Sequence, residues 1–255
     1  MRDLLVLCYH ALSPTWPAAL SVTPDSFERQ LDEISRRGYR GARFTDAVTE
    51  PAGGRTVVVT FDDNYRSVLE LAKPILDHYG YVGTLYVPTD WPEVEGPMHW
   101  AGTDQWLGTE HEHELSSLSW GELRDLADSG WELGSHTCSH PHLPELDDRT
   151  LAHELLASKT RMEEELKRPC TSIAYPYGSV DERVVAASAR AGYLAAGVIP
   201  RVLAPPQPLL WPRAAIFHED ELARFKMKIS PTVRRLRRTS VGNALDRRRI
   251  GSTSF

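Results

Sequence analysis

The feature that most constrains the fold of this chain is a repeated alternation of short apolar segments with amphipathic ones. Residues 57–61 are β-branched or aromatic throughout, as in a strand buried on both faces, and residues 65–78 follow with apolar positions at helical spacing. Predicted strands at 4–10, 83–87, 131–134, 172–175 and 193–196 and predicted helices at 119–130, 148–167 and 181–191 continue the alternation. Such repeats indicate an α/β protein with a parallel sheet, either a barrel or an open doubly wound sheet.

Two segments interrupt this alternation. Residues 91–118 are rich in Trp, His, Gly and Glu without periodicity, which predicts an irregular lid inserted into a domain over residues 1–225. Residues 226–255 are basic and are predicted to form a tail, in part disordered. The tail is either a solvated segment or a contact site for anionic membrane lipid or a phosphate-bearing partner.

Composition and charge narrow the possible functions. A formal net charge of -6 argues against general nucleic-acid binding. The chain has neither an apolar run of membrane-spanning length nor the pattern of a signal peptide, so we expect a cytoplasmic protein. Its cysteines are Cys8, Cys138 and Cys170, and the absence of a CxxC pair argues against a disulfide framework and a cysteine-based zinc site.

Adjacent carboxylates directly follow the strongest predicted strand. Asp62 and Asp63 stand where an α/β fold places its site, at the carboxyl end of a parallel strand. One of them could simply cap the following helix, a common role for Asp. Capping requires only one carboxylate, however, and two buried carboxylates need a counter-charge. A bound metal ion would supply that charge.

Histidines four residues apart follow another predicted strand. His136 and His140 are separated by small polar residues, which favour a loop or a single turn over a long helix. Two imidazoles and one carboxylate suit zinc or a similar first-row metal and leave a position open for water. His142 is predicted to lie at the surface or behind the metal ligands.

Three motifs together resemble those of the polysaccharide deacetylase family, carbohydrate esterase family 4. They are Thr60–Asp63, His136–Pro141 and Ala174–Gly178, in the order in which the family has them. The resemblance spans about residues 5–215. It implies a distorted (β/α) barrel of seven strands and hydrolysis of an acetyl group from an amino sugar.

The resemblance also implies roles for individual residues. Asp63, His136 and His140 match the family's metal ligands, and Asp62 matches the catalytic base. Asp62 would then take a proton from the attacking water, while a bound metal polarises the acyl carbonyl. The third motif, Tyr175, Pro176 and Tyr177, would contact substrate, and the backbone N–H of Tyr177 would help the metal stabilise the oxyanion.

The chain departs from the family pattern at the residue that orients the base. Many relatives have an arginine two residues before the proline of the third motif, whereas this chain has Ala174. We hypothesise that Arg213, in the sequence Leu-Trp-Pro-Arg, supplies the guanidinium from another strand. The alternative is that Arg213 is an ordinary surface arginine.

The chain departs from the family pattern a second time at the group that protonates the leaving amine. The family's late Leu-x-His motif is matched only loosely by residues 216–218, which end in His218. His10 is the alternative, because it ends the first predicted strand at the same edge as the aspartates. The sequence favours His10 as a site residue and leaves the acid role open between the two.

The resulting prediction is a metal-dependent N-deacetylase acting on a glycan, glycolipid or small glycoconjugate. Zinc is the expected metal, with cobalt and nickel as alternatives. An O-acetyl esterase, a deformylase and a catalytically silent sugar-binding module are the competing functions. Stacking on sugar rings is a candidate role for the lid tryptophans, Trp91, Trp100 and Trp106.

Overall fold

The secondary structure alternates strands with helices along most of the chain. The computed structural model describes residues 3–50, 53–199 and 205–237. Within them the strands are β1 (Asp3–Tyr9), β2 (Ala11–Leu12), β3 (Ser21–Val22), β4 (Arg40–Gly41), β5 (Arg55–Phe61), β6 (Gly83–Val87), β7 (Glu132–Ser135), β8 (Ser172–Ala174), β9 (Ala195–Val198), β10 (Trp211–Pro212) and β11 (Ala214–Ala215). The α-helices are α1 (Pro24–Arg36), α2 (Phe44–Thr49), α3 (Lys73–His78), α4 (Trp120–Asp128), α5 (Asp148–Leu166), α6 (Glu182–Arg190), α7 (Leu222–Ile229) and α8 (Pro231–Arg237).

The main sheet is parallel and closes on itself. Its strand order is β10-β9-β8-β7-β6-β5-β1-β11, with β4 beside β5. Only Arg213 separates β10, which pairs with β9, from β11, which pairs with β1. Residues 211–215 therefore join the two ends of the sheet. The predicted distorted barrel is confirmed, with seven strands along its circumference if these residues count as one strand and eight if they count as two.

Strand side chains alternate between the barrel interior and the surrounding helices. On β5, Val58 belongs to a small cluster with Val6 and Tyr86 from neighbouring strands, and Phe44 of α2 packs against it. Val57 and Val59 belong to a larger cluster that includes the inner faces of the helices. Because successive side chains of a strand point to opposite faces, the small cluster fills the barrel and the large one lies outside it. Both faces of β5 are buried, which explains its continuous apolar sequence.

The helix predicted at 65–78 begins later in the structure. Asp63 and Asn64 have left-handed backbone conformations, with φ of 75° and 60°, and Tyr65 forms a bridge with Ser117. A π-helical turn then covers Val68–Ala72 before α3. Because left-handed residues cannot form part of a right-handed helix, the helix begins only after these two site residues. At α4, by contrast, the predicted capping box of Ser119 and Glu122 is present.

The lid is irregular, whereas the described part of the basic segment is largely helical. Residues 91–118 contain two short 3₁₀ turns, Asp104–Trp106 and Glu112–Leu115, and neither strand nor α-helix. The boundary predicted at residues 225 and 226 falls inside α7, where Phe225 and Ile229 are buried on one face. Residues 238–255 of the predicted tail lie outside the described residues. None of the described helices is both long and apolar enough to cross a bilayer.

Candidate active site

The side chains singled out from the sequence lie at the carboxyl edge of the barrel. Asp62 and Asp63 follow β5, His136 follows β7 and residues 175–177 follow β8. His10 follows β1 directly. Because all these strands are parallel, their carboxyl ends meet at one edge. The barrel therefore places together residues that are far apart in the sequence.

The predicted metal ligands converge on one point. The Nε2 atoms of His136 and His140 both lie 3.2 Å from Oδ1 of Asp63. One ligand atom from each of the three residues lies within 4.8 Å of the other two, and all three side chains are buried. Two imidazoles and one carboxylate are a donor set that would hold a divalent metal and leave a position for water.

The hydrogen bonding of these residues fits a metal ion. Nδ1 of His136 lies 2.8 Å from the carbonyl oxygen of Ala174 and must carry a proton, because a carbonyl can only accept. In the neutral ring, Nε2 then presents a lone pair to Asp63. Oδ1 of Asp63 is buried and has no hydrogen-bond partner among the described residues. Two facing lone pairs repel unless a cation lies between them, so nitrogen and carboxylate ligands here fit a divalent first-row metal.

At two of the three ligands, Asp63 and His140, the electrostatics favour the form without a proton; at His136 burial lowers the pKa, but the hydrogen bond and charge of Asp63 outweigh it and raise that pKa. Burial alone would raise the pKa of Asp63, but the adjacent rings of His140 and His136 outweigh it and hold that pKa well below its usual range. Burial lowers the pKa of His140, although the charge of Asp63 opposes the effect. Both groups therefore tend toward the deprotonated form that binds a metal.

Asp62 is held by an arginine from the far end of the sequence. Arg213 donates from Nη1 to Oδ1 of Asp62 at 2.7 Å and from Nη2 to Oδ2 at 2.8 Å, although the residues are 151 positions apart. Nη1 also donates to Oγ1 of Thr60 at 3.0 Å, and both charged side chains are almost fully buried. The contact required by the hypothesis about Arg213 is present. The paired geometry fixes the plane of the carboxylate.

This ion pair lowers the pKa of the candidate base. Burial by itself would raise the pKa of Asp62, but the charge of Arg213, followed by that of His136, outweighs it and lowers the pKa. The barrel has space for the guanidinium because position 197 is glycine: a Cβ there would lie 2.6 Å from Nε of Arg213. On another side the guanidinium lies 5.3 Å from the centre of the Tyr86 ring.

Backbone strain concentrates around the same residues. Among the described non-glycine residues, positive φ occurs at Lys167, which ends α5, and at five positions in the site loops: Asp63, Asn64, Thr137, His140 and Tyr177. Non-glycine residues avoid this region, and such strain clusters at functional sites when the surrounding structure holds it. The concentration of strain marks these loops as the functional edge of the barrel.

The two candidate acids lie in different surroundings. A ring nitrogen of His10 lies within 4.8 Å of a carboxylate oxygen of Asp62 and of Sγ of Cys8. His218 is exposed, and its Nδ1 lies 3.1 Å from the carbonyl oxygen of Ser21, on β3. The structure therefore places His10 close to the candidate base, whereas His218 faces β3.

Aromatic rings surround the metal ligands on the solvent side. The Trp100 ring stacks on His140 with centroids 4.5 Å apart, and the Tyr177 ring packs edge-on against His140 at the same separation. Tyr177 is 41% exposed and donates from its hydroxyl to the lid carbonyl of Ala101. His142 lies at the surface and stacks on Tyr177.

The remaining predicted substrate residues are less accessible. Tyr175 and Pro176 are buried, and the Tyr175 hydroxyl donates to the carbonyl of Leu209. Trp91 packs against Trp100, while Trp106 packs against Trp16. Of the three lid tryptophans, the structure places Trp100 against a metal-ligand side chain.

The sequence interpretation assigned no role to Cys8, although it touches the site. Its Sγ lies 3.4 Å from Oδ2 of Asp62, and burial raises the pKa of the thiol well above its usual value, so that it remains protonated. Cys8 and His10 are two residues apart and share a face at the end of β1. The two-residue spacing from His10 was the feature of the sequence that could have placed Cys8 in the site.

Known proteins with sequences similar to this chain are named as deacetylases. The polysaccharide deacetylase family model matches residues 49–196, more than half of the chain. The protein YxkH of Bacillus subtilis (strain 168), which carries a polysaccharide deacetylase name, is 25% identical over 195 residues, covering 74% of this chain and 62% of YxkH. A poly-beta-1,6-N-acetyl-D-glucosamine N-deacetylase of Staphylococcus aureus is 26% identical over 185 residues, covering 68% of this chain and 59% of that enzyme. The chain thus spans about three fifths of the length of these relatives.

Solved structures show the same fold. The Streptococcus pyogenes deacetylase PplD, in complex with acetate, superposes with a TM-score of 0.74 at 24% identity and covers 90% of this chain and 99% of its own. IcaB from Ammonifex degensii has a TM-score of 0.68 at 21% identity, covering 94% of this chain and 98% of its own. The matching family model, together with the barrel, identifies the chain: it belongs to the polysaccharide deacetylase family.

Proposed function

We propose that this protein is a metal-dependent hydrolase that removes the N-acetyl group from an amino sugar of a glycan, glycolipid or small glycoconjugate. The observation that carries the proposal is that two adjacent carboxylates have different surroundings. Asp63 faces two imidazole nitrogens, while Asp62 faces Arg213. One carboxylate is therefore placed to hold a metal and its neighbour to accept a proton.

The residues of the chain account for each proton transfer. Asp62, ionised and held in plane by Arg213, accepts the proton of the attacking water. When bound by Asp63, His136 and His140, a divalent metal polarises the acyl carbonyl and makes the water easier to deprotonate. We assign the backbone N–H of Tyr177 as a donor to the oxyanion, because its turn packs directly against His140. The amine then leaves with a proton supplied by a protonated side chain.

We assign that proton to His10, which lies beside Asp62. We expect His10→Gln to remove the alkaline limb of the pH–rate profile, because that limb reports loss of the general acid's proton. His218→Gln is the matched control and should retain the limb, since His218 faces Ser21. The measurement is kcat/KM across pH for both variants. Loss of the alkaline limb in His218→Gln alone would reverse the assignment.

An acetylated amino sugar is the substrate class that the relatives' names and the aromatic rings support. The Staphylococcus aureus relative is named for removal of N-acetyl groups from a polymer of N-acetyl-D-glucosamine. Exposed Tyr177 and the lid residue Trp100 flank the metal ligands and provide apolar faces suited to a sugar ring. Since this chain covers only part of that relative, the substrate is a proposal for this chain.

Acetate release from a substrate panel tests the proposal. We expect N-acetylglucosamine oligomers to yield acetate, a chelator to stop the reaction, and added zinc to restore it. Zinc is our proposed metal because two nitrogens and one oxygen suit it, and metal analysis with cobalt and nickel reconstitution tests this assignment. Acetate from O-acetyl esters alone would indicate an esterase, and formate from formamides a deformylase. Bound metal without turnover of any substrate would indicate a sugar-binding protein.

Two further predictions concern the location of the protein in the cell and its contact with lipid. A cytoplasmic location is tested by cell fractionation. Contact of the basic tail with anionic lipid is tested by sedimentation with phosphatidylserine vesicles, since an electrostatic contact must weaken as salt rises. Neither location nor lipid contact is required by the deacetylation chemistry.

A further inference from the structure

The loop that carries the two histidine ligands has an unusual backbone. It runs from His136, at the end of β7, to His140, and includes left-handed residues at Thr137 (φ 69°) and His140 (φ 63°). Such conformations are unfavourable for non-glycine residues and persist only when neighbouring groups hold them. Neighbouring groups must therefore hold this loop.

Backbone carbonyls on one side of the loop are bound by the segment after β6. The N–H of Thr89 donates to the carbonyl of Thr137 at 3.0 Å, and the N–H of Asp90 donates to the carbonyl of Cys138 at 3.1 Å. These bonds hold the loop toward the neighbouring strand. They leave its N–H groups at residues 138 and 139 to be satisfied from elsewhere.

A single carboxylate on α5 satisfies those N–H groups. Oε2 of Glu154 accepts from the N–H of Cys138 at 2.8 Å and from the N–H of Ser139 at 3.1 Å. Oε1 accepts from the Ser139 hydroxyl at 2.7 Å. Glu154 is only 7% exposed, and within the described residues it forms no ion pair. A carboxylate buried in this way is stabilised by its hydrogen bonds, so the loop and Glu154 depend on each other.

We propose that Glu154 is a positioning residue for the metal centre: its buried carboxylate fixes the 137–140 loop so that His140 faces Asp63. An ionised carboxylate only accepts hydrogen bonds, so it selects the loop conformation in which two successive N–H groups point the same way. His140 lies one residue after the second of them. The inference rests on the metal centre of the proposed function, and it assigns a role to a residue outside the three family motifs.

Zinc affinity measures this role without relying on turnover. We expect Glu154→Gln to bind zinc about 10–100-fold more weakly in a chelator competition, as when groups behind metal ligands are lost. The amide keeps the size of the side chain but presents an N–H₂ group to N–H donors. With cobalt at saturation, we expect the visible absorption bands of Glu154→Gln to differ from those of the unmodified protein. A change of charge alone would weaken binding without altering those bands.

Three matched variants separate positioning from general stability. Ser139→Ala removes one of the three bonds without changing charge and should weaken zinc binding by a smaller factor; it also carries the test if Glu154→Gln does not fold. Leu151→Ala removes buried packing from the same helix, and Glu164→Gln removes an exposed charge from it; both should keep the affinity of the unmodified protein. Unchanged zinc affinity and cobalt bands in Glu154→Gln and Ser139→Ala would overturn the inference. An unmodified protein that binds no zinc would instead contradict the proposed function.

Discussion

Asp62→Asn is expected to lower kcat by a factor on the order of 10²–10⁴ while the protein continues to bind metal. The amide cannot accept the proton of the attacking water, and Asp62 is not among the converging metal ligands. Arg213 would keep a polar partner but lose its counter-charge, so a lower melting temperature is also expected. The measurements are acetate release, zinc content and thermal unfolding of the same preparation, with the assay well below the melting transition.

Asp63→Asn is the matched control for this experiment. The substitution is chemically identical and one residue away, but it removes the carboxylate that lies 3.2 Å from both imidazoles. We expect it to lose both zinc and turnover. If Asp62→Asn kept the turnover of the unmodified protein, or if it lost zinc as Asp63→Asn does, the assignment of base and ligand to the two neighbours would be wrong.

Arg213→Ala is expected to have the second large effect, on both stability and activity. Truncation leaves Asp62 buried without its cation, which typically destabilises a protein by about 3–5 kcal/mol. It also removes the paired hydrogen bonds that fix the plane of the base, so kcat should fall. Denaturant unfolding and acetate release measure the two effects.

The pH dependence of Arg213→Ala follows from the pKa of Asp62. In the unmodified protein this pKa is lowered, so the pair contributes stability above the ordinary pKa of Asp and loses it as pH falls through the lowered value. Without Arg213, burial acts with less opposition and raises the pKa of Asp62. The difference in unfolding free energy between the two proteins should therefore widen from acidic to neutral pH, and the acid limb of the pH–rate profile should move to higher pH.

Arg213→Lys supplies the conservative control. It keeps a positive charge but cannot make two parallel hydrogen bonds to one carboxylate, so we expect intermediate stability and activity. Addition of guanidinium ions should restore part of the lost kcat of Arg213→Ala if the ion can enter the barrel. A difference in stability that does not vary with pH, together with an unchanged kcat, would show that Arg213 neither lowers the pKa of Asp62 nor orients it.

Local sequence patterns predicted most of the elements that carry the site. The apolar run before Asp62 became β5, the Ser119–Glu122 box begins α4, and the predicted strand at 83–87 coincides with β6. Helices α1 and α2 have no counterpart among the predictions. The boundary predicted at residues 225 and 226 took a change of charge as the end of a domain, and it divides α7. Apolar Phe225 and Ile229 nevertheless continue one buried helical face across it.

By itself, the sequence determined that two carboxylates follow a buried strand and that two histidines follow another. These are local facts, fixed by side-chain periodicity and short motifs. Only the tertiary structure decided that Arg213 holds Asp62, that Glu154 holds the histidine loop, and that residues 211–215 close the barrel. Each of these contacts joins elements that are distant in the sequence. The contacts depend on the order of the strands and on free space, such as the space beside Gly197. No local sequence pattern specifies either of these.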